Sequence, residues 1–117
     1  MVIYKQFSFD SAHFLPYVSE NHKCGRMHGH TYTLTVFLEG DVDPLTGWLV
    51  DFTDLKDAVD PLVKSLDHRL LNEISGLENP TSERLAEWFW IRIKPLMPLL
   101  SKIEISETPT SGVIYTG

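Results

Sequence analysis

The only cysteine of the chain is separated by three residues from a His-Gly-His triplet, in Cys24-Gly25-Arg26-Met27-His28-Gly29-His30. Residues two apart on an extended strand point to the same face, so His28 and His30 can offer both imidazoles to one cation. A third histidine, His13, lies upstream in a strand-like segment. Three neutral imidazoles suit Zn²⁺, and a three-ligand site leaves the fourth position for water or substrate, the pattern of a catalytic zinc. The alternative takes Cys24 as a fourth ligand and makes the zinc structural. The three histidines can meet only if the two strands that carry them pair.

Cys24 has two readings of its own. A lone cysteine is commonly a small buried hydrophobe. Here it sits in His22-Lys23-Cys24-Gly25-Arg26, where nothing is apolar and two cations favour a reactive thiolate. The pair Asp67-His68 is either a helix-terminal histidine beside a turn residue or an acid-base unit in which the carboxylate orients the imidazole. Glu107 continues the parity of Ile103 and Ile105 in a strand-like run, and a carboxylate on an apolar face needs a partner, either an arginine or a ligand.

The elements that must position these residues are legible as periodicities. Ile3, Phe7, Phe9 and His13 share one parity and predict a first strand; a loop from about Pro16 to Met27 follows. Gly29 to Gly40 predicts a second strand, with His30, Tyr32, Leu34, Val36 and Leu38 on one face. Asp41 to Gly47 is rich in turn residues. A first helix starts near Asp51 or Thr53 and carries Leu55, Ala58, Val59, Leu62, Val63 and Leu66 at helical spacing, with Pro61 expected to bend it without ending it. A second helix opens after Asn79-Pro80 with Thr81 as its cap, and its expected apolar arc runs from Leu85 through Phe89 and Ile93 to Leu96 and Met97. Trp88 and Ile91 fall outside that arc, at its flanks. Two short strands, Lys102–Thr108 and Gly112–Thr116, close the chain. Strands, then helices, then strands predict an α+β fold: an antiparallel sheet with two helices on one face.

Composition limits the function classes. At 117 residues the chain reads as one domain, residues 1–117, able to sustain a core without disulfide or structural metal. Its 43% hydrophobic and 22% charged residues are ordinary for a globular protein. A net charge of −6 argues against nucleic acid as a partner, because phosphate backbones demand a basic face. No apolar run approaches a membrane span, and the first residues lack the features of a signal peptide, so a cytoplasmic location is expected.

Taken in order, Cys24-x-x-x-His28-Gly29-His30, Trp48-Leu49-Val50-Asp51-Phe52, Leu66-Asp67-His68, Leu71-Asn72, Asn79-Pro80-Thr81-Ser82-Glu83 and Glu107-Thr108 resemble the 6-pyruvoyl-tetrahydropterin synthase superfamily. The resemblance covers nearly the whole chain. It is greatest to the bacterial branch that forms 6-carboxy-5,6,7,8-tetrahydropterin in queuosine biosynthesis, whose gap between cysteine and His-Gly-His is the shorter one seen here.

The resemblance implies a tunnelling fold: a four-stranded antiparallel sheet and two helices per subunit, assembled into a homo-oligomeric barrel with active sites at subunit contacts. It implies 7,8-dihydroneopterin triphosphate as substrate, with 6-carboxytetrahydropterin, acetaldehyde and triphosphate as products. His13, His28 and His30 match zinc ligands, Cys24 the proton-abstracting thiolate, Asp67 and His68 a proton relay. Glu107 matches the carboxylate that grips the pterin ring and also relays protons, and Thr81 falls among the substrate-binding residues. Lys23, Arg26 and Arg69 are candidates to hold the triphosphate, against a plain role as solvated loop charges. The alternatives are a pyruvoyl-forming synthase, a non-catalytic zinc-stabilised module and a pterin-binding protein without turnover.

Overall fold

Alternation of inward and outward side chains decides the first two elements. The first strand, β1 (Val2–His13), buries Phe7, Phe9, Ser11 and His13 and leaves Tyr4, Gln6, Ser8 and Asp10 exposed. The second, β2 (His28–Glu39), buries Tyr32, Leu34, Val36 and Leu38, while its threonines suit a pleated surface. The computed structural model describes residues 1–117, and in it these strands pair antiparallel over their full length, from Val2 opposite Glu39 to His13 opposite His28. The connection between them is one 3-10 turn, Lys23–Gly25, within an otherwise irregular loop.

Helix α1 (Phe52–Leu66) begins where Asp51 accepts the Thr53 N–H at 2.9 Å, and it buries Leu55, Val59, Val63 and Leu66. Pro61 lies inside it and does not end it. Helix α2 (Ser82–Ile93) is capped by Thr81, whose hydroxyl accepts the Arg84 N–H at 3.2 Å. It is shorter than the apolar spacing predicts. Pro95 has no N–H to continue the ladder and disfavours helical geometry in the residue before it, so Leu96 and Met97 fall in a turn beyond the helix. Trp88, expected at the flank, is buried, with its indole N–H on the Ser75 carbonyl and the Arg92 guanidinium 4.0 Å from the ring centre; Ile91 is exposed.

The sheet differs from the expected four antiparallel strands. A two-residue strand, β3 (Arg69–Leu70), adds to the outer edge of β1 in parallel, and with β4 (Leu100–Thr108) and β5 (Ser111–Tyr115) the order is β3-β1-β2-β4-β5. The sheet is therefore mixed. Two residues are too few for alternation to show in sequence; what creates β3 is the turn at His68, which has a left-handed φ of 56° and donates its N–H to the Asp10 carbonyl. The β4–β5 ladder shifts register between Ser106 and Thr108, so a bulge falls at Glu107. Gly112 is required there, since a Cβ would sit 2.5 Å from the Ile105 carbonyl oxygen.

Both helices cover the face that carries Phe7, Phe9, Tyr32, Leu34, Ile103 and Ile105, and together they enclose a core of 20 buried hydrophobic residues. No helix is long and apolar enough to cross a membrane. Leu34 is fully buried in the central strand between β1 and β4. Leu34→Ala should lower unfolding free energy by about 2–5 kcal/mol in urea titrations, the range for a large-to-small change in a packed core.

Candidate metal centre and active site

The β1–β2 register puts His13 directly opposite His28, with His30 two residues further along the same face. Their three ligand nitrogens lie within 4.8 Å of one another. The pair at the strand ends is held by carbonyls: His13 Nδ1–H donates to Pro80 O at 2.9 Å and His28 Nδ1–H to Arg26 O at 2.6 Å. Each ring thereby keeps Nε2 as a bare lone pair, the tautomer a metal requires. His13 is 1% exposed, and its burial, the largest influence, lowers its pKa below the ordinary imidazole value, which further favours the neutral ligand form.

Two features show that these residues fit a cation. The two Nε2 atoms of His13 and His28 approach to 2.9 Å, and two bare lone pairs at that distance repel unless something positive lies between them. His30 Nε2 is buried with no hydrogen-bond partner, a costly arrangement for a polar atom in a packed site. One ion on three nitrogens answers both. The donor set, three imidazoles and no carboxylate, suits a borderline metal such as zinc rather than calcium or magnesium.

Beside the histidines a cavity of about 450 Å³ is lined by His13, Leu15, Lys23, Cys24, His28, His30, Glu107 and Thr108. Cys24 is a half-buried free thiol on the 3-10 turn. That turn is fixed by His22, whose Nδ1 accepts the Cys24 N–H at 3.0 Å, and by the Cys24 carbonyl, which accepts the Leu15 N–H at 2.7 Å. Glu107 reaches in from the bulge of β4, its Oε2 3.8 Å from His30 Nε2. No arginine meets it, so of the two partners open to this carboxylate the structure leaves the ligand or the metal site. Glu107 also borders a second cavity, of about 250 Å³, with Thr81, Ser82 and Glu83 at the start of α2.

The chain has counterparts among known proteins. The family model described as 6-pyruvoyl tetrahydropterin synthase matches residues 2–117. The chain belongs to the 6-pyruvoyl tetrahydropterin synthase family. Within this family of lyases it is 42% identical to the 6-carboxy-5,6,7,8-tetrahydropterin synthase of Synechocystis, over 97% of this chain and 92% of that protein. It is 41% identical to the dihydroneopterin monophosphate aldolase of Pyrococcus furiosus, over 83% of this chain and 77% of that one. The 6-pyruvoyl tetrahydropterin synthase of Caenorhabditis elegans superposes with a TM-score of 0.92 at 30% identity, covering 100% of this chain and 95% of the other.

In this member of the 6-pyruvoyl tetrahydropterin synthase family a single chain does not assemble every residue expected at the site. Asp67 and His68 lie at the β3 edge, where His68 lines a different cavity with Asp10, Thr31, Arg69 and His30, the one residue it shares with the cavity of Cys24. They form a preset pair, His68 Nδ1 to Asp67 Oδ2 at 2.9 Å, with the other Asp67 oxygen accepting the Asp10 N–H at 2.9 Å. Arg26 offers the site its backbone carbonyl, while Lys23 borders the cavity with its side chain. Sequence reading missed His22, Pro80 and Tyr32. Pro80 is marked in the sequence only as part of the Asn79-Pro80 motif and Tyr32 only by its parity with His30; the Tyr32 hydroxyl lies 3.2 Å from His13 Nδ1.

The Asp10 N–H is the largest influence holding the Asp67 carboxyl below the usual range, and hydrogen bonding to Asp67 raises His68 above the ordinary imidazole value. His68 is therefore expected to stay protonated to higher pH than a free histidine in an NMR titration, and Asp67→Asn to bring it back. Because the His68 value is raised and the Asp67 value lowered in the folded state, the pair's stabilisation is whole between the ordinary carboxylate and imidazole pKa values; it is lost as pH rises through the shifted His68 value or falls through the shifted Asp67 one.

Proposed function

We propose that the protein is a zinc-dependent carbon-carbon lyase that converts 7,8-dihydroneopterin triphosphate and water to 6-carboxy-5,6,7,8-tetrahydropterin, acetaldehyde and triphosphate, as in queuosine biosynthesis. The observation that carries this reading is one cavity holding three imidazoles, a free thiol and a carboxylate with no Lys or Arg partner. The 42% identity to a 6-carboxy-5,6,7,8-tetrahydropterin synthase supports the choice within the family.

Residues 1–117 act as one catalytic domain in this reading, with His13, His28 and His30 holding zinc. When bound, the metal would polarise the hydroxyls of the substrate side chain and so acidify them. Cys24, beside that position, removes a carbon-bound proton. Asp67-His68 returns protons, His68 being the group kept charged by its carboxylate. Since one chain leaves this pair at a sheet edge bordering a different cavity, a neighbouring copy supplies it, and the working enzyme is a homo-oligomer with sites between subunits. Glu107 accepts two N–H groups from the pterin edge, a bidentate charge-assisted arrangement. Thr81, across the second cavity from Glu107, borders the same ring. Lys23, Arg26 and Arg69 form no ion pair within the chain, which leaves them free for the triphosphate.

A pyruvoyl-forming synthase is the second reading, favoured by the close superposition on the Caenorhabditis elegans enzyme. Incubation with 7,8-dihydroneopterin triphosphate and mass spectrometry of the products separates them. The carboxylated pterin together with acetaldehyde is expected; triphosphate release without acetaldehyde supports the second reading, and no turnover rejects both. Cys24→Ala should abolish turnover with metal content and folding retained, whereas loss of folding would mark a structural thiol.

Glu107→Gln should raise the apparent substrate KM by about tenfold or more, because an amide nitrogen then faces a donor edge. Unchanged kinetics would remove Glu107 from the pterin site.

A further inference from the structure

Leu71-Asn72 is a family-like motif that lines neither the metal cavity nor the cavity at the Asp67-His68 edge. Its asparagine nevertheless makes three long-range or loop-bridging hydrogen bonds. Asn72 Oδ1 accepts the Phe14 N–H at 3.1 Å, and Asn72 Nδ2 donates to the Phe14 carbonyl at 2.9 Å and the Glu78 carbonyl at 3.4 Å. Phe14 is the first residue past the end of β1. A carboxamide that takes both backbone groups of one residue does the work of a neighbouring strand where the sheet has stopped.

What this clamp joins is informative. On one side is Phe14, the residue that follows His13. On the other is the loop from Glu78 to Pro80, whose Pro80 carbonyl fixes the His13 ring through Nδ1. The next residue along, Leu15, donates to the Cys24 carbonyl, so the same short segment also anchors the turn that carries the thiol. His13 is the one ligand outside the His28-Gly29-His30 triplet. Its position relative to the other two depends on where β1 ends and on which carbonyl meets its ring.

We propose that Asn72 is a positioning residue of the metal centre, its carboxamide tying Phe14, the residue after His13, to Glu78, two residues before Pro80, so that His13 meets the Pro80 carbonyl and presents a bare Nε2 to the ion. The inference rests on the zinc reading above. Outer partners that orient a metal-bound histidine typically contribute 10- to 100-fold to affinity, and Asn72 acts one step further out by fixing such a partner.

The test is zinc affinity by chelator competition on the full chain, wild type against Asn72→Asp, with unfolding of the zinc-free proteins followed in parallel. Asn72→Asp keeps the size and the acceptor for the Phe14 N–H but sets a carboxylate against two carbonyl oxygens. The zinc Kd should rise about 10-fold or more while the zinc-free variant still unfolds cooperatively. A lowered Tm with an unchanged Kd overturns the proposal, because that is what a purely structural asparagine gives. If Asn72→Asp does not fold, the wild-type protein supplies the measurement. Coupling between clamp and metal is reciprocal, so zinc should shift the Asn72 carboxamide proton resonances and slow their exchange with water. Unchanged resonances with zinc bound overturn the proposal. A wild-type protein that takes up no zinc overturns the zinc reading itself, and shows it before any variant is compared.

Discussion

Everything at the site depends on the register of β1 against β2. With His13 opposite His28, the period-two alternation of a strand brings His30 to the same face and Tyr32 beneath it. A slip of one residue would turn the whole inward set of β1, Phe7 and Phe9 included, toward solvent. The register is therefore specified by the core and inherited by the metal centre. Twelve paired positions fix the geometry of three imidazoles, which a loop of the same composition would not do.

Around those imidazoles the structure adds electrostatic preparation. Carbonyls from two different segments, Pro80 and Arg26, fix which nitrogen of His13 and His28 is bare. Burial keeps His13 neutral, and the bulge at the end of β4 aims Glu107 inward beside His30. These devices fit the site to a cation before one arrives. The buried, unpartnered Nε2 of His30 is the local disadvantage of that fit, and metal binding relieves it.

The Asp67-His68 pair shows the opposite arrangement. It is exposed, held in a left-handed turn by the Asp10 backbone, and lines a different cavity from Cys24. An imidazole whose charged form is favoured by a carboxylate already in place is thereby presented at a sheet edge.

Much of this was legible in the residues themselves. Alternation disclosed both long strands, helical spacing and capping residues disclosed α1 and the start of α2, and His-x-His with an upstream histidine marked the three-histidine cluster, because each is a local pattern with a fixed period. The end of α2 is not given by that spacing, which runs past Pro95 to Met97 while the helix stops at Ile93. Tertiary structure alone decided the rest. The two-residue β3 has no period to read. Pro80, Asn72 and His22 act through a carbonyl, a carboxamide and a capping nitrogen, and their partners are set by where the chain returns in space. The separation of Asp67-His68 from Cys24 likewise follows from the path of the backbone. Residue types determined which chemistry this protein could perform; the pairing of distant segments decided which of those residues meet within one chain.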